Sequence, residues 1–404
     1  MKQAKRESAL KLTRRHWLVL AASAMSVSCG PPGTGGTGAT GPEIGIYTQG
    51  PISGFGSVIV NGIHFDDTTA TVQIDGKPAS SADLRLGMVA TIQGQSGATN
   101  TQGTASSIVV WTITQGPIIS GSAAPGTSGQ FTVAGITLLT DSSTVFSGIG
   151  AAVPAVPGQW VAVWGLQSSP DALTWRATRV QALPPPLMGT GTTTDTPAVM
   201  VSSGLVADQG ANASIGGVTL NSTGISTQSQ GLLQQGELVR VAGTLSSTDN
   251  SFLVQDVQSL NPSAAMGLQS LVQMEGIVVS MLTGNRFQLG NIPVDANQAS
   301  VVPQATQITV GSRVVVKGSS QSGVLMAATI ILLDAQTPAL VPISGVIERY
   351  TSLADFVLHG QRCDASAATI LPGAASDLRV GVSVNLSGIL EGDVLRVTTL
   401  GVAI

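Results

Sequence analysis

The chain has 404 residues, of which 49 are glycine, 10% are charged and 3% are aromatic. This length is typical of several domains, and the small and β-branched residues that dominate the rest suit β-strands joined by tight turns. The first 28 residues hold six of the 18 basic and one of the 22 acidic groups, so the remainder has a formal charge of −9. An acidic chain of this kind is a poor match for nucleic acid.

The N-terminus has the pattern of an export signal. Residues 12–30, LTRRHWLVLAASAMSVSCG, combine a basic start, an apolar run and small residues before a cysteine. The pattern predicts a signal peptide over 1–28, which is too short for a durable membrane span. Arg14 and Arg15 lie in a stretch that resembles the twin-arginine export motif. The alternative is a general-secretion signal that contains two arginines.

Cys29 is the candidate lipidation site. It follows Ser26-Val27-Ser28, which resembles the lipobox of bacterial lipoproteins, although Ser26 stands where leucine is usual. Cleavage after Ala24 is the alternative. The Gly/Thr/Pro-rich residues that follow suit a flexible tether over 29–48. We therefore expect an exported lipoprotein of the periplasm or outer membrane, held to the membrane through its N-terminal lipid.

A glycine frame of eight residues, beginning and ending with glycine, recurs five times at spacings of 70 to 78 residues. The third and fifth residues after the first glycine are always apolar, whereas the residue between them varies. This period of two predicts a half-buried strand, and the bracketing glycines predict turns, bulges or close backbone approach. The five glycine frames are GMVATIQG (87–94), GQWVAVWG (158–165), GELVRVAG (236–243), GSRVVVKG (311–318) and GVSVNLSG (381–388).

The repeats predict an all-β fold, organised as a tandem array of five small, partly open antiparallel β-barrel modules, for which an OB-like barrel is one candidate form. The period is too long for one rung of a β-solenoid. An Asp or Asn follows a predicted hairpin in each repeat, at Asp66, Asp141, Asn221, Asp295 and Asp364. The predicted modules are 49–115, 116–183, 199–261, 272–334 and 340–404, with a Pro/Thr linker at 184–198.

Residues 53–94 resemble a bacterial extracytoplasmic repeat family, the domain of unknown function 5666. The resemblance is carried by Gly54-Phe55-Gly56-Ser57, Val60-Asn61-Gly62-Ile63, Asp66 and Asp83-Leu84-Arg85-Leu86-Gly87. The fifth module keeps Asp377-Leu378-Arg379-Val380-Gly381, and the other modules keep the glycine frame, so weaker copies extend to 404. The resemblance implies a tandem β-protein of the cell envelope and implies no activity.

Few residues are suited to catalysis or metal binding. Beyond the signal and Cys29 there are two histidines, His64 and His359, and one cysteine, Cys363. A zinc site needs three or four converging ligands, so we interpret the histidines as outward-facing residues. Cys363 aligns with apolar residues of the other modules and is interpreted as a core residue. No catalytic, cofactor or metal site is predicted, and an enzyme with an unrecognised site is kept as an alternative.

Trp160 and Trp164 share the variable face of one glycine frame. They could stack on a sugar or pack on a neighbouring module, and packing is favoured because tandem arrays have many interdomain surfaces. We therefore expect a non-catalytic, lipid-anchored binding or structural scaffold whose candidate partner is an envelope protein or glycan. An envelope polysaccharide-binding protein that uses both tryptophans is the alternative.

Overall fold

The computed structural model describes residues 44–97, 99, 101–149, 155–185, 199–208, 210–246, 251–333, 340–371 and 378–402. This part of the chain consists mainly of β-strands, which confirms the all-β prediction. Its helices are α1 (Thr227–Gln230), α2 (Ser263–Met266) and two 3₁₀ turns, Ser81–Asp83 and Gly210–Asn212. The predicted export signal with Arg14 and Arg15, and the predicted lipidation site Cys29, lie outside the described residues.

Five strand sets follow one another along the chain. Set 1 comprises β1 (Ile44–Gly54), β2 (Val58–Val60), β3 (Ile63–Asp66), β4 (Thr71–Ile74), β5 (Lys77–Ala79), β6 (Val89–Ser96) and β7 (Gln102–Val110). Set 2 comprises β8 (Thr114–Ser122), β9 (Gly129–Val133), β10 (Ile136–Thr140), β11 (Val145–Ser147), β12 (Trp160–Gln167) and β13 (Thr174–Ala182). Set 3 comprises β14 (Met200–Leu205), β15 (Ser214–Ile215), β16 (Val218–Asn221), β17 (Leu238–Leu245) and β18 (Phe252–Ser259).

Sets 4 and 5 complete the described chain. Set 4 comprises β19 (Leu271–Leu282), β20 (Arg286–Leu289), β21 (Ile292–Asp295), β22 (Ser300–Val302), β23 (Arg313–Gln321) and β24 (Val324–Leu332). Set 5 comprises β25 (Leu340–Val346), β26 (Arg349–Ser352), β27 (Asp355–Leu358), β28 (Gln361–Asp364), β29 (Thr369–Ile370), β30 (Ser383–Glu391) and β31 (Val394–Val402).

Set 1 closes into a five-strand barrel. β1 pairs antiparallel with both β2 and β6, β2 pairs with β3, β3 pairs in parallel with β7, and β7 returns to β6. The same cyclic order of pairings recurs in set 2 and in set 4. In the described parts of sets 3 and 5, pairing links the equivalent strands without closing the ring.

The last glycine of each glycine frame lies at a bulge. The strand that carries it shifts its register against the next strand at this point in all five sets. A Cβ atom on this glycine would lie between 1.9 and 2.4 Å from a carbonyl oxygen of the paired strand, so no other residue fits. The predicted bulge and close approach are confirmed, and the bulge supplies the local coiling that a small barrel needs. The five glycines are Gly94, Gly165, Gly243, Gly318 and Gly388.

The two faces of the frame strand differ as predicted. The constrained residues are buried inside the sets: Ala90, Ile92, Val161, Val163, Val239, Val241, Val314, Val316, Val384 and Leu386. The first glycine of each frame has a positive φ, from 77° to 89°, which turns the chain into the strand at little steric cost. Each frame is therefore a strand that enters through a left-handed turn and coils at a bulge.

The Asp or Asn after each hairpin closes a turn. Its side-chain oxygen accepts a hydrogen bond from the backbone N–H two residues later in all five sets. In set 1, the N–H and hydroxyl groups of Thr68 hold the pKa of Asp66 below its ordinary value. These side chains are turn-forming residues, which accounts for their recurrence at one position of the repeat.

The strand sets do not pack in chain order. The first half of β1 pairs with β6 on one side and, in parallel, with β19 of set 4 on the other, with Ile46 opposite Leu271 and Gln49 opposite Met274. The first strands of sets 2 and 3 also meet, but antiparallel and through the single pair Gln115 and Val201. The strands β1, β8 and β19 each pair with two strands of their own set, and part of the remaining edge is covered by the first strand of another set.

The segment Pro42–Ile404 is one compact unit in which sets 1 and 4 share one sheet and sets 2 and 3 share another. One sequence prediction needs correction. The tether predicted over 29–48 overlaps β1, which begins at Ile44 because its alternating Ile-Gly-Ile-Tyr residues pair on both edges. In the described residues, no helix has the length and apolar character needed to span a membrane.

Candidate functional site

The variable face of the frame strands makes contacts between strand sets. Arg240 in β17 reaches set 1, and Arg313 in β23 donates a hydrogen bond to Ser143 Oγ in set 2 over 3.0 Å. Trp164 in β12 belongs to the same buried apolar cluster as Leu86 of set 1. The residues that differ between repeats are therefore those that contact different neighbours, which explains why only one face of the frame is constrained.

Arg240 joins set 3 to set 1. Its side chain is 4% exposed, and one terminal nitrogen lies 2.9 Å from a carboxylate oxygen of Asp75. Its Nε donates to the carbonyl oxygen of Thr112 over 2.9 Å, and its guanidinium lies 5.3 Å from the ring centroid of Trp111. Burial lowers the pKa of Arg240, and the carboxylate of Asp75 opposes that shift. The contact fixes Trp111 in place from one side.

A second ion pair lies within set 4, at its contact with set 2. Arg313 Nε is 2.6 Å from Glu275 Oε1, and the Glu275 side chain is 8% exposed. Because the same guanidinium also donates to Ser143, this pair couples β19 and β23 to the turn after β10. The ion pair holds the Glu275 carboxylate and the Arg313 guanidinium in one orientation at the contact with set 2.

Between these junctions lies a pocket of about 250 Å³, whose described lining comes from sets 1, 2, 3 and 4 and from the segments that join sets 1 and 2 and sets 3 and 4. The walls are apolar and aromatic with a few polar groups, which is the usual character of a small-molecule site. Most wall residues lie on strands, so the pocket is held by rigid elements. Its main side chains are Tyr47, Trp111, Gln167, Trp175, Leu238, Met274 and Glu275.

We name this cavity the junction pocket. Tyr47 is 1% exposed, and its hydroxyl donates to Gln49 Oε1 over 3.4 Å. Burial raises the pKa of Tyr47 well above its ordinary value, so the phenol stays neutral. Trp175 Nε1 donates to the carbonyl oxygen of Ala172 over 2.8 Å, which fixes the indole against the pocket wall. The aromatic walls are therefore ordered before any ligand arrives.

The two tryptophans singled out in the sequence lie elsewhere. Trp164 is 4% exposed, and its indole is packed in the cluster that joins sets 1, 2 and 5. Its ring is covered and offers no face to a sugar. Trp160 is half-buried at the start of β12. Of the two interpretations of this face, packing on a neighbouring set describes Trp164.

The two histidines differ from each other. His64 is exposed on β3, beside Ser57 Oγ at 3.4 Å, in keeping with its interpretation as an outward residue. His359 is half-buried, and its ring stacks on Phe55 of set 1 with centroids 4.4 Å apart. Its Nε2 lies 3.2 Å from the carbonyl oxygen of Ser344, and burial lowers its pKa. The outward interpretation of His359 is therefore wrong, because set 1 covers the turn.

Within the described ranges, no group of three or more His, Cys, Asp or Glu side chains is placed to hold a metal ion. Asp66 and Asp364, two of the turn residues, are bound by their own turns.

Cys363 is expected to resist alkylation in the folded protein. The thiol is 1% exposed, and burial raises its pKa from 9.0 to about 12. At pH 8 this lowers the thiolate fraction by roughly a thousandfold. In a Cys29→Ala variant, iodoacetamide should label Cys363 in denaturant and leave it unlabelled in buffer. Equal labelling rates in the two conditions would contradict its place in the core.

The sequence interpretation did not single out the junction pocket. Tyr47 falls in the segment predicted as tether, and Gln167 and Glu275 look like ordinary strand residues. Aromatic residues are the one signal that was available, because the sequence has few of them. Three, Tyr47, Trp111 and Trp175, line this one cavity. Their convergence depends on the packing of sets that are distant in sequence.

The geometry defines an all-β protein in which four strand sets surround a small-molecule-sized pocket. Comparison with family models finds the "Domain of unknown function (DUF5666)" at residues 115–181 and 275–331. The first match covers nearly all of set 2 and the second most of set 4, so each falls on one closed ring. This is the family predicted from the sequence, but the matched segments lie in sets 2 and 4 and not at residues 53–94, where the resemblance was expected to be strongest.

No curated protein matches this chain. Among solved structures, "drosophila Unr CSD456" is similar at 13% identity over 42% of this chain and 78% of that chain, with a TM-score of 0.14. A likeness at that score carries no argument about fold or function.

Proposed function

We propose that this chain is a non-catalytic, lipid-anchored binding protein of the bacterial cell envelope, and that its ligand occupies the junction pocket. The observation that carries the proposal is the pocket itself, which is walled by strand sets that the chain visits at widely separated positions. Its lining is mainly apolar and aromatic, with a buried amide oxygen of Gln167 that has no hydrogen-bond partner. Such a combination is typical of ligand sites.

We also infer that each strand set is one OB-like module, so that the described chain contains five modules. The inference is supported by the ring order of set 1, in which the first strand pairs with both the second and fourth strands of the barrel, and the third pairs in parallel with the last. It is supported as well by the bulge at the same glycine of all five glycine frames. A barrel of this size has few exposed edges.

The proposed role accounts for the repetition of one module. A module of about 70 residues has a marginal core, and the contacts of Arg240 with Asp75 and of Arg313 with Ser143 stabilise modules against each other. Four modules that face one point also build a pocket larger than the filled interior of any single small barrel. Duplication of one stable unit can therefore produce a binding site that no single unit contains.

The binding proposal predicts that the purified protein carries a bound molecule, and that a large side chain at Ala265 prevents this binding. This residue lies on α2 and lines the junction pocket, whereas Ala264 beside it is exposed and does not. We expect Ala265→Trp to fill the pocket and Ala264→Trp to leave it open. Native mass spectrometry of protein purified without denaturation from a bacterial envelope should show an added mass on the wild type and Ala264→Trp only. Identical spectra for all three proteins would contradict the proposal.

The anchor proposal predicts that Cys29→Ala moves the protein from the membrane fraction to the soluble fraction. Cys29→Ala removes the residue proposed to carry lipid, and no helix among the described residues can span a membrane, so the variant should leave the membrane pellet. We expect most of the wild-type protein in the membrane fraction and most of Cys29→Ala in the soluble envelope extract, measured by immunoblotting after fractionation. Retention of Cys29→Ala in the pellet after a high-salt wash would count against lipid anchoring.

A further inference from the structure

The junction pocket has almost no charge to offer a ligand. Of the described residues that line it, only Glu275 has a carboxyl group, and this group is already paired with Arg313 at 2.6 Å. No lysine or arginine is among these lining residues. An ionised ligand buried here would lose its hydration without gaining an opposite charge, which is unfavourable. Both anions and cations are therefore disfavoured.

The unpaired polar atom of Gln167 identifies the group that a ligand must carry. Gln167 is 6% exposed, and its Nε2 donates to the carbonyl oxygen of Ser169 over 2.9 Å. Since a carbonyl oxygen only accepts hydrogen bonds, the nitrogen must face Ser169, and the atom left without a partner is the acceptor Oε1. A ligand that donates an N–H or O–H group would satisfy it.

The position of this oxygen is well defined. Gln167 ends β12 in set 2 and faces Gly290, which joins β20 to β21 in set 4. A Cβ atom on Gly290 would lie 3.4 Å from Gln167 Oε1, so the amide sits directly against the opposite wall. Both residues line the junction pocket. A buried acceptor left unpaired destabilises the protein, and a donor supplied by a ligand removes that penalty.

The remaining walls suit a flat apolar body. Trp111 is held by Arg240 at 5.3 Å from its ring centroid, and Trp175 is fixed through its own N–H group. Met274 adds an adaptable apolar side chain on the set 4 wall. Ordered aromatic rings bind planar ligands at a low entropic cost.

We infer that the junction pocket takes an uncharged, mainly apolar small molecule with a planar ring system, which donates one hydrogen bond to Gln167 Oε1. The inference rests on the proposed binding function and adds the chemical class of the ligand. The apolar ring system lies between the tryptophans, and the polar N–H or O–H group lies at the end of β12. Gln167 then selects ligands that carry a hydrogen-bond donor, and not an acceptor, at the end of β12.

Two fluorescent probes with one ring system test the inference. N-phenyl-1-naphthylamine is neutral at pH 7 and carries one N–H donor, and 8-anilino-1-naphthalenesulfonate adds a negative charge to the same rings. We expect the neutral probe to bind with enhanced fluorescence and the sulfonate to bind at least tenfold more weakly. Equal affinity for the two probes would overturn the inference that the pocket selects uncharged ligands.

Gln167→Leu tests the hydrogen bond. The variant keeps the side-chain size and removes the acceptor, so we expect about a tenfold loss of affinity for N-phenyl-1-naphthylamine, in line with one buried hydrogen bond. The N-methylated probe has no donor and should bind wild type and Gln167→Leu equally well. Thermal melting of both proteins checks that the variant is folded. A similar loss for both probes, or no loss for either, would overturn the role of Gln167.

These results separate the class of ligand from the existence of the site. If Ala265→Trp abolishes probe binding while Ala264→Trp does not, the pocket binds small molecules, and only the charge and donor preferences remain at issue. If the neutral probe binds none of the proteins, or binds Ala265→Trp as well as wild type, the proposed binding function itself fails.

Discussion

Replacement of Gly318 by alanine is expected to lower the free energy of unfolding by about 3 kcal/mol. The new Cβ atom would lie 1.9 Å from the carbonyl oxygen of Met326 on the paired strand, far inside contact distance. Since β23 and β24 form one side of the set 4 barrel, the clash can be relieved only by separating these strands. Urea unfolding of the purified protein measures the loss.

Gly311→Ala is the matched control, because it lies at the other end of the same glycine frame. Gly311 has a φ of 89° and no atom within 4 Å of the added Cβ, so alanine meets backbone strain without a clash. We expect a loss of about 1 kcal/mol from this change. If the two variants lose equal stability, the close backbone approach at the bulge adds nothing to the requirement for glycine. The left-handed backbone conformation alone would then explain why glycines occupy the glycine frame.

Arg240→Ala is expected to lower the free energy of unfolding by about 3 kcal/mol, because it removes one partner of a buried ion pair. The carboxylate of Asp75 and the carbonyl oxygen of Thr112 would lose their donor, and Trp111 would lose the cation above its ring. All three belong to the described chain around set 1, so the change should loosen set 3 from set 1. Chemical denaturation and proteolysis between the two sets would report it.

Arg396→Ala provides the comparison at the surface. Arg396 is half exposed and pairs with Asp364 and Glu391 within set 5. Exposed pairs of this kind contribute about 0.5 kcal/mol or less. A second check combines Arg240→Met with Asp75→Asn, which removes both charges and should recover at least half of the loss. If Arg240→Ala and Arg396→Ala have the same small effect, the junction between sets 1 and 3 does not contribute to stability.

The sequence was sufficient for features that depend on local geometry. Alternation within the frames identified the buried face of each strand, such as Val161 and Val163 in set 2. The bracketing glycines identified a turn and a close backbone approach, because only these conformations exclude a Cβ atom at fixed positions of a repeat. The recurrent Asp and Asn residues likewise mark turns.

The arrangement of the sets could not be predicted in the same way. The parallel pairing of β1 with β19 joins residues more than 200 positions apart. It depends on two bent strands that each leave one edge free, and neither Ile46 nor Leu271 differs from other apolar strand residues. Repetition of a sequence indicates the unit and not the way in which the copies pack, so the repeats alone could not predict this pairing.

The junction pocket follows from that arrangement and was hidden for the same reason. Gln167, Trp111 and Met274 come from three sets, and each occupies a position that varies among the repeats. Gln167 Oε1 is left without a partner because the amide nitrogen of the same side chain donates to Ser169. The sequence alone does not indicate this contact. By contrast, the burial of Cys363 could be predicted because its position is apolar in every other repeat.

Solution X-ray scattering of the unit Pro42–Ile404 tests the central claim most directly, because the shared sheet and the pocket both require that the strand sets pack together. A compact unit of this length should have a radius of gyration of about 21 Å. Five modules strung in a line without packing on one another would have a radius of gyration of about 40 Å, since each adds about 28 Å of length. A value near 21 Å is the result we predict, and a value above about 35 Å would contradict the shared sheet and the junction pocket.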